Sequence, residues 1–208
     1  VLVVAPEASP DRFLRDVLEE LDLGSLRVVA PEDYRRFLTG DLSAIDLVVL
    51  DRAGAPAPGV ASLSFGVSVP GLVERASPAG GERVVSWKRA DPVLRDVSLD
   101  TLIVDRGALL APDPDAAGVR TEALAIATGG GLILWTEPTG VERIAVALPL
   151  PRSNCGLQLS PAMFVPNAVE LLTVRGSGHC AVRLLPSDPA PSTLPRARAP
   201  DPYPHLPL

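Results

Sequence analysis

Ser62-Leu63-Ser64-Phe65-Gly66 is the first run whose residue types could do chemistry. It stands where an α/β enzyme sets a nucleophile on a sharp turn between strand and helix. That turn, G-x-S-x-G, needs its first glycine so that strand and helix approach closely around the serine. Ser62 occupies the glycine's place, and Val67-Ser68-Val69-Pro70 does not begin a helix. Ser64 is therefore either a degenerate nucleophile or a polar residue at a strand end. The thiols are Cys155 and Cys180, and the imidazoles His179 and His205. A thiol dyad needs its base within hydrogen-bond reach. Adjacent strand residues point to opposite faces, which separates His179 from Cys180 and leaves Cys155 with His179 as the pair to test. Ser64, Cys155 and His179 are the catalytic candidates, and none has a local signature, so the expectation is a chain without catalytic residues.

Metal and phosphate chemistry have less to stand on. Asp46, Asp51, Asp91, Asp96, Asp100 and Asp105 are scattered, without metal-ligand spacing. Gly129-Gly130-Gly131 resembles a phosphate cradle in composition only. Such a loop runs from a parallel strand into a helix, whereas these glycines lie between two apparent strands and suit a tight hairpin. No metal or cofactor is expected. The most distinctive run is Trp87-Lys88-Arg89-Ala90-Asp91-Pro92-Val93-Leu94-Arg95-Asp96-Val97. It reads either as a strand, an Asp-Pro turn and a buried Val-Leu pair, or as a recognition loop. In the second reading Trp87, Arg89, Asp91 and Arg95 form a binding surface, tryptophan and arginine being the types that dominate interface hot spots.

The elements that must position these residues follow from periodicity. Val1–Ala5 reads as a buried strand. Phe13, Leu14, Val17, Leu18 and Leu21 recur at helical spacing, with Ser9 as N-cap, Pro10 at the first helical position and Gly24 as the stop. Leu26–Ala30 is a second strand, Pro31–Leu38 a helix turning Tyr34, Phe37 and Leu38 inward, and Ile45–Leu50 a third strand. This β-α-β-α-β order predicts a parallel sheet with right-handed crossovers. Ala53–Gly59 is too short and too rich in Gly and Pro for a crossover helix, and Ala61–Phe65 is a fourth strand. Val84–Trp87, Leu102–Asp105, Ala123–Ala127, Leu132–Thr136 and Arg143–Leu148 read as antiparallel strands. A closing helix carries Phe164, Ala168, Leu171 and Leu172, with Pro166 interrupting it or marking its first turn. The fold class is α/β: a flavodoxin-like parallel sheet with helices on both faces, plus an antiparallel β extension.

The chain has 208 residues, 47% of them apolar, enough for one ordinary domain without a disulfide or metal staple. A formal charge of −6 argues against nucleic-acid and anionic-membrane binding. No run of 18 apolar residues occurs, so direct membrane insertion is not expected. The packed domain is expected over 1–185. The remainder, 186–208, holds eight prolines and reads as an extended tether. The opening Val1-Leu2-Val3-Val4, without initiator Met or leader, fits an interior piece of a larger protein.

Trp87-x-Arg89-x-Asp91-Pro92-Val93-Leu94-Arg95-x-Val97-x-Leu99 resembles the D/H-H-P-L/V-L-R-x-V-x-L run of one family. That family is the class I glutamine-amidotransferase-like domain of Bat-type (aerotolerance-regulator-like) bacterial membrane proteins. Leu157-Gln158-x-x-x-x-x-Phe164-x-x-Asn167-Ala168-x-x-x-Leu172 resembles the same family's final helix, and ThuA-like domains are a more distant likeness. The resemblance spans residues 1–175. It implies an amidotransferase-like fold in a membrane-anchored parent, beside a von Willebrand factor A domain as protein partner, with the extracytoplasmic side favoured. Active amidotransferases of this fold carry a cysteine at the elbow and a His-x-Glu pair. Here no cysteine stands near Ser64, His179 is followed by Cys180-Ala181, and Asp91 takes a place where relatives often have histidine. The resemblance thus implies a non-catalytic binding or scaffolding module. The alternative is a ThuA-like hydrolase or small-molecule-binding domain, with its pocket at the C-terminal ends of Val1–Ala5 and Ile45–Leu50.

Overall fold

The computed structural model describes residues 1–76, 82–104, 108–150 and 159–176. Strand β1 (Leu2–Val4) leads through a 3-10 turn, Pro6–Ala8, into helix α1 (Arg12–Glu20). Strand β2 (Arg27–Val29), helix α2 (Pro31–Leu38) and strand β3 (Leu47–Asp51) complete the expected β-α-β-α-β unit. β1 pairs in parallel with both β2 and β3, and β3 with β4 (Ala61–Phe65). The four apolar positions of α1, Phe13, Leu14, Val17 and Leu18, and Leu21 just past its end all pack into the core, Leu14 and Leu18 fully buried. The cap differs from expectation. Asp11, not Ser9, is the N-cap, its Oδ1 accepting from the Phe13 N–H at 3.0 Å, because the 3-10 turn takes up Pro6–Ala8 first. Gly24 is not the stop either: the helix ends at Glu20 and Leu21 is already extended.

Beyond β4 the chain forms β5 (Leu72–Ala76), β6 (Glu82–Trp87), β7 (Ile103–Val104), β8 (Ala108–Pro112), β9 (Arg120–Ala127), β10 (Gly130–Glu137) and β11 (Arg143–Val146). Helix α3 (Leu159–Gly176) closes the fold. The strand order is β2-β1-β3-β4-β11-β10-β9-β6-β7, with β8 joining β10 and β5 lying along β8. Two expectations need correction. β11 is antiparallel to β10 but parallel to β4, so it belongs to the parallel half and joins the two parts of the sheet. Pro166 neither breaks α3 nor starts it, since the helix runs through it.

Gly129-Gly130-Gly131 makes the β9–β10 hairpin as expected, Gly130 pairing with Ala127. Gly131 has a further reason to lack a side chain. An added Cβ would lie 2.4 Å from Leu134 Cδ1 and 2.9 Å from the Leu110 carbonyl oxygen, where β8 crosses β10.

Alternation along the strands divides the interior in two. Val3, Leu47, Val49, Leu63 and Phe65 pack with α1 and α3, while Leu2, Val4, Val48 and Leu50 pack with Tyr34 of α2. Helices thus cover both faces of the parallel half. The β3–β4 connection, Arg52–Val60, lies over the α2 face as a loop in place of a crossover helix. Gly54 (φ +88) brings its backbone so close that an added Cβ would sit 3.1 Å from Leu50 and 3.2 Å from Val4.

Candidate functional site

The C-terminal ends of β1 and β3 flank the point where strand order reverses, the usual ligand position in an open α/β sheet. The structure places a latch there. Asp51, wholly buried at the end of β3, accepts from the Asp11 backbone N–H at 2.7 Å and from Arg52 Nε and Nη2 at 3.0 and 3.1 Å. Both carboxylate oxygens are used, and the Arg52 guanidinium is held more firmly protonated chiefly by that hydrogen bond. Glu7, Ala8 and Arg52 have φ of 53°, 52° and 58°, so three non-glycine residues in left-handed conformation gather where β1 and β3 end. Among the sequence candidates Asp51 counted only as a scattered carboxylate; a charge closing an apolar strand was the available sign.

Ser64 lies inside β4, in register with Leu50 on one side and Ala145 on the other. It is wholly buried, and its Oγ has no hydrogen-bond partner. The strand continues to Gly66 (φ +60), where an added Cβ would meet Pro149 at 3.0 Å, and then through a turn to β5. Cys155, Cys180, His179 and His205 lie outside the described residues, as does the tail 186–208.

On the same face as Ser64, by alternation, lies Ser62, and in register with it stands Arg143 of β11. Arg143 donates from Nη2 to the Ala57 carbonyl at 3.0 Å. Tyr34 donates its hydroxyl to the Ala55 carbonyl at 2.9 Å. Burial pushes the Tyr34 phenol up to about 12, with the positive charge of Arg143 opposing, and burial pulls Arg143 down. Neither residue stood among the sequence candidates. A lone arginine opening an apolar run reads as an exposed strand end, and only the pairing of β11 with β4 makes it interior.

The Trp87–Val97 run divides into two parts. Asp91 accepts from the Val93 N–H at 2.9 Å and caps a single 3-10 turn, Pro92–Leu94, whose Val93 and Leu94 are buried. Asn167 of α3, 7% exposed, donates from Nδ2 to the Arg95 carbonyl at 2.8 Å and the Val93 carbonyl at 3.4 Å. The buried-turn reading therefore describes Asp91–Leu94. The first part stays at the surface: the Arg89 guanidinium lies 4.4 Å from the ring centroid of half-buried Trp87, and Arg89 pairs with Asp100 at 3.7 Å. Lys88 pairs with Glu122 and Arg120 with Glu137, and Arg120 also lies over Trp135.

The four predicted binding residues are thus not brought to one cavity. Asp91 lines a groove of about 220 Å³ with Arg120, Glu122 and Trp135, and Arg95 lines another of about 160 Å³ with Asn167 and Glu170. Among the described residues no group of three or more His, Cys, Asp or Glu side chains could hold a metal ion, and no helix is long and apolar enough to cross a membrane.

No family model matches the chain, and no curated protein matches it. Solved structures do. A cytoplasmic protein of Salmonella typhimurium superposes with a TM-score of 0.53 at 10% identity, over 77% of this chain and 85% of its own. A ThuA-like protein of Bacteroides uniformis superposes with a TM-score of 0.55 at 9% identity, over 82% of this chain and 89% of its own. At such identities the likeness concerns fold alone. It agrees with the flavodoxin-like sheet and with the more distant of the two resemblances.

Proposed function

We propose that this chain is a non-catalytic, amidotransferase-like α/β module that docks a protein partner, within a larger, membrane-anchored protein. The observation that carries the docking is the clamp beneath the surface run. Asn167 and the buried Val93 and Leu94 fix the turn, while exposed Arg89 stacks over half-buried Trp87 beside it. A surface ordered before binding loses less entropy on binding, which favours its use as an anchor. The non-catalytic part is supported by Ser64, whose hydroxyl is wholly buried away from solvent, and by a strand that leads from it into a turn.

The expected partner is a von Willebrand factor A-like domain of the same parent. Titrating this chain with that domain by calorimetry should show binding, weakened at least about tenfold by Trp87→Ala with Arg89→Ala. Absence of binding, or equal affinity in the double variant, would overturn the docking surface.

A ThuA-like small-molecule domain is the second reading, and the shared fold favours it. Hydrolysis of a substrate by the purified chain, lost in Ser64→Ala, would establish it instead.

A further inference from the structure

Beneath the Arg52–Val60 loop lies a positive charge that the fold does not neutralise. Arg143 is 5% exposed, and its Nε and Nη1 are enclosed with no hydrogen-bond partner. Among the described residues, no carboxylate comes within ion-pair distance of it. The acidic group it senses is the Tyr34 phenol, whose proton is already committed to the Ala55 carbonyl. On the adjoining strand the Ser62 and Ser64 hydroxyls point to the same face, wholly buried and likewise without partners.

Chemistry narrows what fits such a place. An arginine does not give up its proton inside a protein, so the charge persists. Buried charge without a counter-charge is what folded structures avoid, because desolvation is left uncompensated. The unpartnered atoms are two guanidinium nitrogens and three hydroxyls, those of Ser62, of Ser64 and of Thr136, which stands in register with Arg143 on β10, all able to donate. A cation is excluded by the guanidinium, and an apolar group would leave every donor unmet. One guanidinium calls for one negative charge, and enclosure under the loop calls for a compact carrier.

We propose that Arg143, Ser62 and Ser64 bind a compact monovalent anion, either a halide ion or the carboxylate end of a small ligand, beneath the Arg52–Val60 loop. The site is independent of the surface run, and its test does not depend on whether that surface docks a partner.

The experiment follows thermal unfolding by tryptophan fluorescence at fixed ionic strength, replacing sodium gluconate stepwise by sodium bromide or sodium formate. A bound anion raises the midpoint with the logarithm of its concentration, as any ligand of the folded state does. A rise with both anions, lost in Arg143→Met, is the expected result. A rise with bromide alone identifies a structural halide, and with formate alone the carboxylate of a larger ligand. A midpoint indifferent to both anions, or a rise that persists in Arg143→Met, would overturn the proposal. Should Arg143→Met fail to fold, the Ser62→Ala/Ser64→Ala double variant decides. It keeps the charge and should weaken the apparent affinity about tenfold, whereas unchanged affinity would refute the site.

Discussion

Tyr34 ties the α2 helix to the Arg52–Val60 loop through one hydroxyl, and its burial makes that tie sensitive to base. The phenol is pushed from 10.0 up to about 12 in the folded chain. Below pH 10 the phenol is neutral in both states, and its contribution is complete. Above that, the unfolded chain releases the proton while the folded chain holds it, so stability falls with rising pH until about 12. The slope from this one group is about 1.4 kcal/mol per pH unit. Tyr34→Phe should lose about 1 kcal/mol at neutral pH, for the missing bond to Ala55, but should show a shallower fall between pH 10 and 12. Urea unfolding of both proteins across that range checks this, and parallel curves would contradict it.

At the scale of elements, Asn167 ties α3 to the Pro92–Leu94 turn, donating to the Val93 carbonyl within it and the Arg95 carbonyl just after it. Asn167→Ala leaves both carbonyls against an apolar helix and should lower stability by about 1–3 kcal/mol. Asn167→Asp should be worse, since it sets an acceptor against acceptors. Chemical denaturation gives both values, and a neutral Asn167→Ala would mean that the turn does not depend on the helix.

The sequence made some of these elements plain. α1 was legible because its apolar residues recur at helical spacing, and the first three parallel strands because they are short continuous apolar runs. β5 was not, since Glu74 and Arg75 sit side by side within it and erase the alternation. The parallel pairing of β11 was hidden for a different reason. Apolar periodicity says that Ile144–Val146 is a strand but carries nothing about its neighbour. From that one pairing follow the interior position of Arg143 and its alignment with Ser62, so the buried polar site was beyond sequence reasoning. The Trp87–Val97 run was legible as distinctive. Its division into clamped turn and half-buried stack needed Asn167, more than 70 residues away.

For the molecule as a whole, the likeness to solved α/β structures extends over most of the chain, while the residues that do chemistry are set by this sequence alone. The strand ends where such folds hold ligands are occupied by the Asp51–Arg52 latch, and the serine at the elbow position lies wholly buried within a strand. What the chain offers outward is a stacked, clamped surface. The central claim is that it binds and does not catalyse. The most direct measurement is ammonia release from glutamine by the purified chain, followed over a range of glutamine concentrations beside a Ser64→Ala control. The account predicts the rate of buffer alone for both proteins. A rate that rises and saturates with glutamine, and that Ser64→Ala abolishes, would contradict it.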